Sequence, residues 1–193
     1  MFEPQFIKTN ELRELGIKSV GENVLISKDC TIVGLENIEI GDNVRIDGYC
    51  TIIANGDGYL KLGSNIHIGA YSLLIAGAGI VMNDFSGLSQ GVRIYSRSDD
   101  YSGDFLTNPT IPADFSNVQS GEVVLEKHVI IGTGTVILPN VKIKEGSAVG
   151  ALSLVLKNLD AWQIYSGCPA KRLKARKRDL LELEILYLKG KTK

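Results

Sequence analysis

The chain has 193 residues, 44% of them hydrophobic, and 21 Lys and Arg against 22 Asp and Glu leave a net charge of −1. That length suffices for one domain with a sizeable interior, and the charge balance argues against nucleic acid as a partner, which calls for a basic face. No apolar run approaches the ~20 residues of a membrane span, and Met1-Phe2-Glu3-Pro4 lacks a basic-then-apolar leader, so a cytoplasmic protein is expected.

Residues 1–20 contain a short predicted helix that starts at Asn10, carries Glu11, Leu12 and Leu15, and stops at Gly16. From residue 21 a bulky aliphatic recurs at six-residue spacing: Ile40, Ile46, Ile52, then Leu62, Ile68, Leu74 and Ile80, with Ser86 and Val92 continuing the column. A helix repeats near 3.6 residues and a half-buried strand near 2, so this beat means short strands joined by tight corners. Short fixed periods mark solenoids, which stack equal units around one inner column. Three residues after each aliphatic stand Asn43, Tyr49, Asn65, Tyr71, Gly77, Asn83 and Ser89. Asn and Gly tolerate left-handed backbone angles, which marks this column as the corners. One residue further, Val44, Cys50, Ile66, Ser72 and Ala78 form a second, mostly small inward column.

The rhythm stops at Ser96 and returns only at Gly121. An irregular stretch longer than ~12–15 residues is usually functional or disordered, so residues 96–121 are predicted to leave the solenoid as an extruded loop. The beat resumes with Leu125, Ile131, Ile137, Ile143, Val149 and Val155, and the corner column with His128, Gly134, Asn140, Gly146, Leu152 and Asn158. The solenoid is placed at 21–168. Pro169 then favours a first helical turn, which predicts a C-terminal helix over 169–193 with a basic first half, Lys171 to Arg178, and an apolar second half, Leu180 to Leu188. Three cysteines make no disulfide framework. Cys30 and Cys50 fall in the small inward column and are expected as a reduced buried pair, and Trp162 as a plug for the solenoid's end.

The most specific stretch runs from Val129-Ile130-Ile131-Gly132-Thr133-Gly134 through Gly146-Ser147-Ala148-Val149-Gly150-Ala151 to Ser166-Gly167-Cys168-Pro169-Ala170-Lys171. It resembles the C-terminal coils of the hexapeptide-repeat acyltransferases, in their bacterial sugar O-acetyltransferase, galactoside acetyltransferase-like branch, and the resemblance covers about residues 21 to 172. It implies an all-β solenoid, the left-handed parallel β-helix, although general rules favour right-handed crossovers. It also implies acetyl-CoA as co-substrate, no metal, a homotrimer with active sites between copies, and a small-molecule or saccharide acceptor. By the same resemblance the pantetheine arm runs beside Gly132, Thr133, Gly150 and Ala151, while Lys157, Lys171 and Arg172 meet the phosphates.

Transfer of an acetyl group to a hydroxyl needs a base, and His suits neutral pH. The chain has two, His67 and His128. His128 occupies a corner, where His is a tolerated left-handed residue. His67 stands where no repeat rule asks for His, and is the predicted base. Many relatives carry a histidine near the start of the extruded loop, whereas this chain has Tyr95-Ser96-Arg97-Ser98-Asp99-Asp100-Tyr101. Either His67 serves from another coil, or Asp99 or Asp100 is the base or orients His67 across a subunit boundary. Tyr95, Asp99, Asp100 and Asn108 are the predicted acceptor-binding residues. An alternative is N-acetylation of a nucleotide-linked amino sugar, since a neutral amine needs less help from a base. The related zinc carbonic anhydrases need three His per metal, which two per chain do not supply.

Overall fold

A computed structural model describes residues 4–191. The chain winds as a left-handed parallel β-helix of about seven turns, with a C-terminal helix. Each turn lays one short strand on each of three faces. Face 1 carries, among others, Val44–Ile46, Ile66–Ile68, Gly87–Leu88, Ile130–Ile131 and Ala148–Val149. Face 2 carries Thr51–Ile53, Leu73–Ile75, Arg93–Tyr95 and Val136–Ile137, and face 3 carries Leu60–Leu62, Ile80–Met82 and Val123–Leu125. Successive coils stand in register, as in Ile46↔Ile68, Ile131↔Val149 and Ile137↔Val155.

The aliphatic beat fills the interior. Ile26, Ile46, Ile68, Leu88 and Ile131 stack along face 1 and are almost wholly buried, each contributing ~1.5–3 kcal/mol of burial against the entropy of the ordered backbone. The corners fall at residues with positive φ, among them Asn43, Tyr49, Asn65, Tyr71, His128, Asn140 and Leu152.

One stretch departs from the predicted phase. The connection through Gly77-Ala78-Gly79 is longer than a regular corner, and Gly79 (φ 96°) turns directly against the Tyr59 ring. Met82, Leu88 and Ile94, rather than Ile80, Ser86 and Val92, therefore align with Leu62, Ile68 and Leu74. The corners expected at Gly77, Asn83 and Ser89 shift to Gly79, Phe85 and Gly91; Asn158 takes no positive φ, and the next left-handed corner is Trp162, between faces 3 and 1.

Both ends are closed by antiparallel strands, Phe6–Lys8 on Leu25–Ser27 and Lys171–Ala175 on Gln163–Ser166. The second corrects the prediction of a helix from Pro169. The strand Gln163–Ser166 would otherwise leave unpaired backbone groups at the end of the stack, and Lys171–Ala175 satisfies them. Helix α2 spans only Leu180–Lys191. Helix α1, Thr9–Glu14, buries Leu12 at the other end. Trp162 sits at a corner against Gly146, where any Cβ would meet its ring at 2.4 Å, and Arg178 covers it at 5.1 Å. Cys30 and Cys50 are free thiols on adjacent coils, donating to the carbonyls of Asp47 and Gly69. Cys50 is fully buried and Cys30 partly so.

The extruded loop leaves face 2 after Tyr95 and rejoins face 3 at Val123. Its stem is a ribbon in which Arg97–Ser98 pairs antiparallel with Gln119–Ser120, and Gly121 N donates to Ser96 O at 2.9 Å. No helix among the described residues is long and apolar enough to cross a membrane.

Candidate active site

Tyr95 ends its strand beside Ile75 on face 2, and both form the floor of a cavity of about 540 Å³ whose walls belong to the extruded loop. Arg97, Ser98 and Asp99 line it from the outgoing strand, and Asn108, Ile111 and Val118 from the far side. Asn108 holds a left-handed φ of 78°, and its Oδ1 accepts from the amide and hydroxyl of Thr110, at 3.0 and 2.6 Å. That turn commits its carbonyl oxygen to the loop and leaves Nδ2 available to a ligand.

The two loop aspartates differ. Asp100 is largely buried, with Oδ1 accepting from the amide and hydroxyl of Ser102 and Oδ2 from Asn117 Nδ2 at 2.9 Å. The Ser102 bonds hold its carboxyl below the usual range, and it does not line the cavity. Asp100 braces the loop. Asp99 lines the cavity, and its carboxylate makes no hydrogen bond or ion pair with a described residue. Three of the four predicted acceptor residues, Tyr95, Asp99 and Asn108, thus share one cavity, and Asp100 stands outside it.

His67 lies elsewhere. It is the middle residue of Ile66–Ile68 on face 1, points outward with its side chain 51% exposed, and does not line the loop cavity. Its Nε2 is 2.7 Å from Asp47 Oδ2, while Asp47 Oδ1 accepts from Arg45 Nε at 2.7 Å. Burial pushes the Asp47 carboxyl up, but the bonds from His67 and Arg45 outweigh it and bring it below the usual range. An ionised Asp47 fixes the ring's orientation and leaves Nδ1 without a bond to a described residue, a geometry suited to a base or to positioning a substrate. Asp47 and Arg45 were missed in the sequence. The signal was present, because the pairing Arg45↔His67 stacks them one coil apart.

His128 has a different environment. It occupies a corner at φ 62°, is 7% exposed, stacks on Phe85, and places Nε2 2.8 Å from Glu184 of α2. Arg176 donates to its carbonyl and to that of Gly146. These contacts fasten the C-terminal segment to the solenoid.

Among the residues assigned to the coenzyme, Gly132-Thr133 and Gly150-Ala151 stack on the corner between faces 1 and 2, with Gly132 N donating to Val149 O and Gly150 N to Tyr165 O. Thr133 and Ala151 are exposed there. Lys157, Lys171 and Arg172 gather around a cleft of about 450 Å³ at the solenoid's end. The pairings Tyr165↔Arg172 and Ser166↔Lys171 set the last two on the strand next to the one that Gly150 bonds. No group of described residues could hold a metal ion.

No family model matches the chain. It is 44% identical over 177 residues, 92% of each chain, to the dTDP-4-amino-4,6-dideoxy-D-glucose acyltransferase of Escherichia coli. AntD, an N-acyltransferase from Bacillus cereus solved as a serine-to-alanine variant with dTDP-4-amino-4,6-dideoxyglucose and coenzyme A, is 46% identical, with a TM-score of 0.93 over 97% of this chain and 100% of that one. A maltose O-acetyltransferase from Clostridium difficile, at 19% identity and a TM-score of 0.56 over 88% and 74% of the two chains, shares the fold. The repeated coils, the extruded loop and this likeness together make the chain a member of the hexapeptide-repeat acyltransferase family.

Proposed function

We propose that the protein moves an acyl group from coenzyme A to the amino group of a nucleotide-linked amino sugar. The observation that carries this reading is the loop cavity, which presents an unengaged carboxylate, Asp99, and no histidine. A hydroxyl must lose its proton as it attacks, so it asks for a base of matched strength. A neutral amine attacks with its own lone pair and becomes acidic only as the C–N bond forms. A carboxylate is strong enough to take that proton. The likeness to relatives named for amino-sugar substrates over nearly the whole chain supports the same choice.

In this reading the amine sits on Asp99, flanked by Tyr95 and Asn108. Its nitrogen adds to the thioester carbonyl, Asp99 receives the ammonium proton, and the intermediate collapses with cleavage of the C–S bond. The proton then follows to the departing thiolate. The thioester lies along the corner of Gly132-Thr133 and Gly150-Ala151, with the nucleotide end of the coenzyme toward Lys157, Lys171 and Arg172. Because His67 and the cavity stand on different faces of one chain, we infer a homotrimer in which one copy's loop closes over face 1 of the next. His67, held by Asp47, then positions the acceptor rather than deprotonating it.

The test is thiol release from acetyl-CoA with a panel of amino-sugar and hydroxyl-sugar acceptors, wild type against His67→Ala. Product with a nucleotide-linked amino sugar, and less than about a tenfold loss of kcat in the variant, supports N-acylation. Turnover confined to hydroxyl acceptors, with a loss of ~100-fold or more expected of an essential base, returns the assignment to O-acetylation.

A further inference from the structure

We propose that Tyr49 and Tyr71 form the platform on which the nucleobase of the acceptor stacks, a reading that rests on the nucleotide-linked acceptor proposed above. These two residues sit on consecutive coils at the corner between faces 1 and 2, and their rings stack with centroids 5.1 Å apart and planes within 12°. Both hold φ of 62°, a backbone region that disfavours bulky side chains. Asn or Gly would fill these corners without strain, as they do at Asn43, Asn65 and Gly134. Neither tyrosine contributes to the core, since Tyr49 is 59% and Tyr71 64% exposed. Two large aromatics in strained, outward positions are not needed to fill the interior.

Their surroundings have the chemistry of a base site. The pair borders a cleft of about 360 Å³ with Ser27, Asp29, Gly48 and Ala70. Gly48 is open on that side, with no left-handed angle; a Cβ there would meet only the Ser27 hydroxyl at 3.3 Å and the Asp29 side chain at 3.7 Å. A glycine without a conformational reason marks close approach by another group. The Asp29 carboxylate offers an acceptor for the ring N–H of a pyrimidine, and the tyrosine faces offer stacking. Gln90-Gly91 is the corner one coil above Tyr71, and Arg93 of the following strand aligns with Leu73 and is exposed. Arg93 is the cation that would meet the diphosphate. The coenzyme positions occupy the same corner further up, at Gly132-Thr133 and Gly150-Ala151. Donor and acceptor would therefore enter one track from opposite ends, with their reacting groups meeting between.

Two measurements test this on the full-length protein. The first is titration of dTDP and of UDP into wild type, Tyr49→Ala, Tyr71→Ala and the two Tyr→Phe variants, with assembly state checked by light scattering. Loss of a stacked partner weakens binding by about tenfold, and the Phe variants retain it. Wild type that binds neither nucleotide, or Ala variants that bind as wild type does, overturns the platform. So does a loss of affinity that appears only with a change in assembly. The second is the KM for a nucleotide-linked amino sugar, expected to rise about tenfold in the Ala variants; a fall confined to kcat overturns it. Wild type that binds dTDP through the tyrosines yet transfers nothing to the amino sugar leaves the platform standing and removes the proposed reaction instead.

Discussion

The two histidines of this chain each face a carboxylate at nearly the same distance, 2.7 Å for His67 with Asp47 and 2.8 Å for His128 with Glu184, yet they serve opposite ends. His67 stands on the outer face of a strand with half its side chain in solvent. His128 lies beneath α2, between Phe85 and Trp162, with 7% exposure. A His–carboxylate pair is therefore not in itself a sign of catalysis. Exposure on a face that a substrate can reach makes it available for chemistry, and burial under a helix makes it a fastener.

The largest expected effect lies in the loop cavity, which neither histidine lines. Asp99→Asn keeps the shape of the loop cavity and removes the proton acceptor, so kcat should fall ~100-fold while the melting temperature stays within ~1 °C of wild type. A variant that keeps full activity would break the assignment of Asp99. Next comes the buried side. His128→Ala leaves Glu184 without one partner and opens a gap between Phe85 and Trp162, costing ~2 kcal/mol and lowering the melting temperature by ~4–8 °C at this chain length. Calorimetry checks this.

Acid sharpens the contrast. Burial raises the Glu184 carboxyl, but hydrogen bonds from Lys127 and His128 prevail and set it below the usual range. A carboxyl lowered on folding stabilises the fold fully above its unfolded value of ~4.3, and loses that contribution as pH falls through the lower folded value. The stability deficit of Glu184→Gln against wild type should therefore be present at pH 7 and shrink below about pH 4, as followed by thermal melts across pH. The smallest effect belongs to Asp47→Asn, which loosens the His67 ring without removing it. A rise of about threefold in acceptor KM, with kcat held, is the outcome expected of a positioning contact worth ~0.7 kcal/mol.

The repeat made most of the fold legible. From Leu125 to Val155 each predicted aliphatic stands in the inner column and pairs with its counterpart on a neighbouring coil. Between Gly77 and Val92 the same reading slipped, because Gly-Ala-Gly and Ser86 resemble ordinary repeat residues and nothing local reports the Tyr59 ring that shapes the turn. The strand at Lys171–Ala175 was lost to a local rule, Pro at a helix start, that gave way to an open sheet edge supplied by residues earlier in the chain. The candidate site was marked in the sequence by residue types and not by grouping. Tyr95, Asp99 and Asn108 were marked from the break in the rhythm, but the inward turn of Asp100 toward Ser102 and Asn117 depends on a loop conformation that no period encodes.

The stem of the extruded loop carries one more consequence. Its two ends meet, with Gly121 bonded back to Ser96, and the coils above and below close across the gap as Ile94↔Ile137 and Met82↔Leu125. The winding thus does not register how many residues depart and return there, and the entropic penalty for a longer excursion grows only as a logarithm. In the proposed reading, exchanging this one segment rebuilds the walls around the acceptor's amine, while the spool beneath it keeps its winding.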